Sequence, residues 1–225
     1  MMAENTDINL PMSLEKILLT EAVGEKDLAV VPRRYLFGGE YWSGVRRISE
    51  DEIFALLSKH MEFHERTDEL ERNHLLKQII PYFLIKKSGG SVGSPKPKYL
   101  SARRKNKTGD TRLHGASLVG FGGHLRAGDI KGAMKDWLRR EFEEEISAEE
   151  IKGISFLGLV NDDSDADNGV HKVHMGLIFE VEVEGAVSIK EKESFENEKF
   201  SSLEKLRLLT PEMELWSRLV VDSLK

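Results

Sequence analysis

The chain contains no cysteine. Disulfide frameworks, thiolate zinc sites and cysteine nucleophiles are therefore all excluded. Nor is there any stretch of about 18 apolar residues such as a membrane helix requires. The opening MMAENTDINLPMSLEK lacks the basic start and apolar core of a secretory leader. These absences lead to the expectation of a cytoplasmic protein with no membrane contact. A positive excess is missing too: 39 acidic against 33 basic residues leave a net charge of −6. That balance argues against a nucleic-acid binder held by phosphate attraction. Internal repeats and long low-complexity tracts are also absent.

What is present is the balance of a globular chain with a proper core, 225 residues of which 40% are hydrophobic and 32% charged. The cations are unevenly spread. Lys86, Lys87, Lys96, Lys98, Arg103, Arg104, Lys105, Lys107 and Arg112 follow one another with Asp110 as the only acid among them. This segment lies just ahead of a glycine-rich stretch.

Element signals follow in order. LAVVPRRYLF reads as a short edge strand interrupted by Pro32. Ser49 with Glu52 forms a capping box ahead of Ile53, Leu56, Leu57, His60 and Met61 at helical spacing. Ile79, Ile80, Tyr82, Phe83, Leu84 and Ile85 form a strand, SGGSVGSPKPK a hairpin loop and YLSARRK the returning strand. RLHGASLVGF extends into the glycines. IKGISFLGLV and VHKVHMGLIFEVEVEG are further strands around the acidic turn NDDSDADNG. Phe200 to Leu209 and Met213 to Leu224 read as closing helices around Pro211. The order predicts an α/β fold, a mixed sheet with helices on both faces. Residues 1–74 are expected as an extension with one strand and one helix, packed on a domain spanning 75–225. The apolar stripe of the extension's helix is also a surface on which a second subunit could pack as a homodimer.

The stretch GFGGHLRAGDIKGAMKDWLRREFEEEISAEE carries the chemistry. Gly120, Gly122 and Gly123 let the backbone turn and approach a ligand. In the following helix, about 100° per residue places Met134, Trp137, Leu138 and Phe142 on one face. Glu141, Glu144 and Glu145 continue that apolar line, whereas Asp136, Arg139 and Glu143 project away from it. A surface helix sets its acids opposite its apolar stripe. Acids in line with the stripe are costly to desolvate as a like-charged group. A hard divalent cation such as Mg²⁺ relieves that cost and bridges to phosphate oxygens. Arg140 beside the cluster can orient one carboxylate.

These residues resemble the signature of the Nudix hydrolases: Gly123 matches its first glycine and Arg140, Glu141, Phe142, Glu144 and Glu145 its Arg-Glu and Glu-Glu core. GGHL from Gly122 is similar to the lead-in of many members. Three positions depart from it. Asp129 stands in place of the first glutamate, ten residues instead of seven separate Asp129 from Arg140, and Ser147 replaces the closing glycine. RLHGASLVGFGGHL and VNDDSDADNGVHKVHMGLIF also resemble an uncharacterised branch described as predicted phosphoesterases.

The resemblance implies a Nudix-like α/β/α sandwich and a pyrophosphohydrolase acting on phosphoanhydride bonds of a small, nucleotide-derived substrate. Glu141, Glu144, Glu145 and Asp129 would hold Mg²⁺, or Mn²⁺ in its place. Glu141, Glu144, Glu145 and Arg140 would be the catalytic group, while Gly122, Gly123, Arg103, Arg104 and His124 would contact substrate. Arg112 is a lesser candidate. The identity of the general base stays open. The alternative function is a nucleotide sensor of the same fold without catalysis. Isoprenoid diphosphate isomerisation, which uses a cysteine in this family, is excluded. DSDADNG is not a calcium loop, because Asn168 and His174 occupy its glycine and glutamate positions. His171 and His174, three apart on an expected strand, should face opposite sides. His114 and His124 are expected near the pocket.

Overall fold

The computed structural model describes residues 24–89, 96–105, 114–130, 134–164 and 171–225, without the side chains of 130 and 134–137. The tip of the hairpin loop, Lys107, Arg112, most of the acidic turn, and the Met134, Asp136 and Trp137 side chains lie outside the described residues.

In chain order the elements are β1 (Leu28–Pro32), β2 (Ser43–Arg46), α1 (Glu50–His60), β3 (Glu62–His64), β4 (Leu76–Lys87) and β5 (Lys98–Arg104). Next come β6 (Ser117–Leu118), β7 (Gly120–Phe121), α2 (Met134–Glu145), β8 (Ile146–Asp162) and β9 (His174–Ile189). β10 (Phe195–Ser202), α3 (Leu203–Leu209) and α4 (Leu215–Ser223) close the chain. The strands form one mixed sheet with the path β10-β5-β4-β9-β8-β2. β4 and β9 run parallel from Gln78↔His174 to Lys86↔Glu182, while the other pairings between strands are antiparallel.

Period-two alternation along β4 builds both cores. Ile79, Phe83 and Ile85 enter the cluster that holds Leu138 and Phe142 of α2 and Ile53, Phe54 and Leu57 of α1. Ile80, Tyr82 and Leu84 enter the opposite cluster with Leu206 of α3 and Trp216, Val220 and Val221 of α4. The expected mixed sheet between helices is therefore what the chain forms.

Several boundaries differ from the sequence reading. β1 stops at Pro32 and continues as a 3-10 turn over Arg33–Tyr35. The expected helix from Phe200 starts only at Leu203, because Phe195–Ser202 pairs with β5 as an edge strand. Its exposed Glu and Lys residues hide a strand pattern. RLHGASLVGF yields only the two short strands β6 and β7. β8 begins where α2 ends: Ile146 and Ser147 already pair with Ile189 and Ser188. A strand that starts immediately needs no glycine turn, which accounts for Ser147.

α1 carries the capping box as read, with Glu52 N donating to Ser49 Oγ at 3.2 Å and Ser49 N donating to Glu52 Oε2 at 3.0 Å. Ile53, Phe54 and Leu57 are buried in the common core. The stripe considered for a second subunit is thus covered by this chain itself. Residues 24–74 contribute β1, β2 and β3 to the same sheet.

One buried ion cluster ties these parts together. Asp163 accepts from both Arg33 Nη atoms at 2.8 Å and from Lys77 Nζ at 2.9 Å, and Trp42 N donates to it at 3.0 Å. Burial raises the Asp163 pKa, but the Arg33 and Lys77 hydrogen bonds outweigh that and hold it well below the usual carboxylate range. A carboxyl depressed in the folded state contributes stability above its unfolded pKa and loses it as pH falls through the folded value. Asp163→Asn leaves Arg33 and Lys77 uncompensated and should destabilise the fold by about 3–5 kcal/mol. Urea denaturation at pH 7 measures this loss, and the variant should show a shallower fall in stability below pH 4 than the native chain.

Candidate active site

The site lies on the side of β4 away from β9. β7 pairs with β4 only at Phe83↔Phe121 and Leu84↔Gly120, after which the chain leaves the ladder. A Cβ on Gly120 would lie 1.9 Å from the Tyr82 ring, and one on Gly122 would lie 1.8 Å from the Pro81 carbonyl oxygen. Neither space accommodates a side chain. Because N–H and C=O of one strand residue point the same way, the donor that Pro81 lacks falls on this interrupted side, so a proline is tolerated in a central strand.

Gly123 is different in kind. A Cβ there would stand 3.7 Å from Glu141 Oε2 and 3.8 Å from Glu145 Oε1. Two carboxylate oxygens therefore face the space beside a bare backbone. Gly120 and Gly122 serve close packing on β4, and Gly123 keeps the approach to the carboxylates open.

The three glutamates of α2 differ in depth. Glu141 is only 5% exposed, Glu145 is half-buried and Glu144 is exposed. Among the described residues no cation lies within salt-bridge distance of any of them. Burial, the Asp129 charge and the Glu144 charge raise the Glu141 pKa to about 8, with Arg126 opposing. Burial and the Glu191 charge raise Glu145 to about 7, with Arg104 opposing. Arg139 and Glu143 pair with each other at 2.7 Å on the outer face, as their helix position implied.

Asp129 sits at the mouth of the loop before α2. Its carboxylate accepts from Arg126 N at 2.9 Å and lies 3.3 Å from Arg140 Nη2. The same Arg140 nitrogen donates to the Asp129 carbonyl at 2.7 Å. Arg140 thus fastens loop to helix. Among the described residues no three His, Asp or Glu groups converge as a ready metal cluster. The donor chemistry still suits a hard cation, because buried carboxylates without a cation partner are the groups that Mg²⁺ would neutralise.

Beside Glu145 opens a pocket of about 220 Å³. Tyr82, Phe121, Phe195 and Trp216 give it aromatic walls, and Arg104, Glu191, Glu214, His124, His171 and His174 give it polar ones. Arg103 and Arg104 part company here, as neighbours on a strand must. Arg103 Nε donates to the Gly115 carbonyl at 2.8 Å, outside this pocket, whereas Arg104 lines it and is ion-paired with the buried Glu214.

The histidine expectation needs correction. His171 lies in a 3-10 turn, His174 opens β9, and both line the same pocket. The turn breaks the strand alternation that would have separated them. His124 Nε2 and His174 Nε2 stand 3.0 Å apart, so one donates and the other accepts. Burial, with the charges of His174, Arg66 and Arg126, brings the His124 pKa down to about 3. His124 is therefore uncharged near neutrality. Sequence reasoning missed Arg126, Glu191, Glu214 and Trp216. The first follows His124 by two residues, the spacing of a shared face in extended chain; the others arrive from distant elements and carried no local signal.

No protein-family model matches the chain. It is 33% identical to Protein YmaB of Bacillus subtilis (strain 168) over an alignment 211 residues long that covers 88% of this chain and 97% of that protein. The solved structure of Tm1382, presented as a candidate Nudix hydrolase, is 28% identical, with a TM-score of 0.70 over 88% of this chain and 97% of its own. DR0079 from Deinococcus radiodurans shares the fold at 14% identity and a TM-score of 0.50, covering 79% of this chain and 96% of that one.

Glu141 gives the site a pH signature. Its folded pKa, about 8, lies above the ordinary carboxylate value of 4.5. The folded state therefore binds more protons across that window, and stability falls as pH rises through it. In EDTA, thermal unfolding should show this decline between pH 5 and 8, and Glu141→Gln should flatten it. An equally steep decline in the variant would remove Glu141 as its source.

Proposed function

This chain belongs to the Nudix family, and on that footing we propose that it is a metal-dependent hydrolase that cleaves a diphosphate linkage in a nucleoside diphosphate-type compound. The observation that carries the reading is the buried Glu141 and half-buried Glu145 carboxylates facing the open backbone at Gly123 beside an aromatic pocket. Glu141, Glu144 and Glu145 would hold Mg²⁺ or Mn²⁺, with Asp129 at the edge of the set. The bound ion would neutralise phosphoryl oxygens and lower the pKa of a water.

The remaining work falls to the chain's own groups. The bare backbone at Gly123 admits the diphosphate to the carboxylates. Arg140 holds the Asp129 loop against α2. Arg104 sets a cation on the pocket wall next to Glu145, its guanidinium fixed by Glu214 and lying 5.1 Å over the Phe195 ring. Flat walls from Tyr82, Phe195 and Trp216 suit a heterocycle. The His124–His174 contact at 3.0 Å leaves room for at most one positive charge, since like charges that close repel, and His124 is the uncharged member.

The test is hydrolysis of a panel of nucleoside diphosphate sugars, dinucleoside polyphosphates, oxidised nucleotides and capped RNA, with and without metal. Turnover should require Mg²⁺ or Mn²⁺, and Glu144→Gln and Glu145→Gln should each lower kcat by more than about a hundredfold. Unchanged turnover in both variants refutes the metal assignment. Tight nucleotide binding without turnover by the native chain would favour the sensor function instead.

A further inference from the structure

The loop that leads from the glycines to α2 is held on both sides by backbone. On one side Leu125 N donates to the Ile79 carbonyl of β4 at 3.1 Å. On the other, Ala29 N donates to the Leu125 carbonyl at 2.8 Å, Ala127 N to the Asp27 carbonyl at 2.9 Å and Gly128 N to the Glu25 carbonyl at 3.0 Å. Leu28 and Arg126 face each other as an antiparallel bridge at the centre of this short ladder. Residues 25–29, a turn leading into the start of β1, thus run antiparallel alongside 125–128. The next residue is Asp129, which Arg140 joins to α2 one position before Glu141.

The fit along this ladder is close. A Cβ on Gly128 would stand 2.9 Å from the Glu25 carbonyl oxygen. Leu28, Leu125 and Ala127 are each almost fully buried. A core domain folding alone would need none of these contacts, since β4 already holds the other edge of the loop. The sequence also places its three additional loop residues in the interval between Asp129 and Arg140. A longer connection has more conformations to lose on ordering, and the cost rises with length. Anchoring its near end limits that cost.

We propose that the segment Glu25–Ala29 is a strap that sets the position of the Asp129 loop, and through Arg140 the placement of the carboxylates on α2. The extension is then part of the catalytic apparatus as a positioning element, and its backbone carbonyls at Glu25 and Asp27 are the working groups. The proposal rests on the metal-binding reading of the site for its second half and on hydrogen bonds alone for its first.

Ala127→Pro removes the donor to Asp27 and spares the local turn, because proline is tolerated at the first position of a helical turn and its extended predecessor suits it. Gly128→Ala crowds Glu25 independently. In each full-length variant, amide exchange at 125–130, measured relative to exchange in β4, should quicken at least tenfold, and Mn²⁺ affinity read by electron paramagnetic resonance should fall about tenfold. Exchange unchanged in both variants overturns the strap, and quickened exchange with unchanged Mn²⁺ affinity overturns its link to the carboxylates. A native chain that binds no Mn²⁺ sinks the metal reading and that link together, while exchange still judges the strap.

A reversible version covers the case in which the variants unfold. The chain has no cysteine, and directly opposed antiparallel residues lie at a Cα separation of about 4.5–5.5 Å, within disulfide reach. In Ala127→Pro carrying Leu28→Cys and Arg126→Cys, oxidation should restore the slow exchange and the Mn²⁺ affinity, and reduction should remove both. Equal behaviour of the oxidised and reduced forms overturns the proposal.

Discussion

The parallel pairing of β4 with β9, continuous from Gln78↔His174 to Lys86↔Glu182, is the constraint from which the site takes its geometry. Two central strands that run the same way cannot be joined by a hairpin, so the chain between them must travel. Here that excursion includes β5, the glycine loop, α2 and β8. The pairing occupies one edge of β4 and leaves the other to β1 and β5 at its two ends and, between them, to β7 and the loop after it. Pro81, Gly120, Gly122 and Leu125 N are all fitted to that second edge. His174, at the start of β9, is carried to within 3.0 Å of His124 by the same register.

A second cost is imposed on this frame. α2 buries Phe142 completely and must take Glu141, one residue away, nearly as deep. The helix cannot move the carboxylate outward without lifting Phe142 from Phe83, whose ring stands edge-on at 5.7 Å. The fold therefore spends hydrophobic packing to hold an acid where water would otherwise stabilise it. Local rules are broken at the same point, where acids lie in line with an apolar stripe, and such inconsistencies concentrate at functional sites.

The buried Arg33–Asp163–Lys77 cluster has a different meaning. It joins residues from the extension, from β4 and from just beyond β8, and each charge in it has an opposite charge in contact, the two cations sharing one carboxylate. Charges paired in this way fix relative position without inviting a ligand. Glu141 and Glu145, without a matching cation among the described residues, invite one. The contrast shows that burial of a charge alone is no pointer to a ligand; what singles out Glu141 and Glu145 is the lack of a cation beside them among the described residues.

Sequence by itself determined the alternation of β4, the capping box of α1 and the inward register of Glu141 and Glu145 on α2, because each depends on the intrinsic period of its own element; Glu144, expected in the same line, is exposed instead. It also carried the family resemblance, which needs only residue type and spacing. It did not determine that β10 is a strand, since an edge strand facing solvent has no apolar alternation to read. Nor did it separate Gly123 from Gly120 and Gly122, because what a missing side chain makes room for depends on Tyr82, Pro81 and α2. Only tertiary structure paired His124 with His174, gave Arg104 to Glu214, and laid residues 25–29 along the Asp129 loop. Those contacts join residues far apart in the chain through backbone groups and buried charges, and backbone groups are the same at every position, so no sequence pattern records which of them meet.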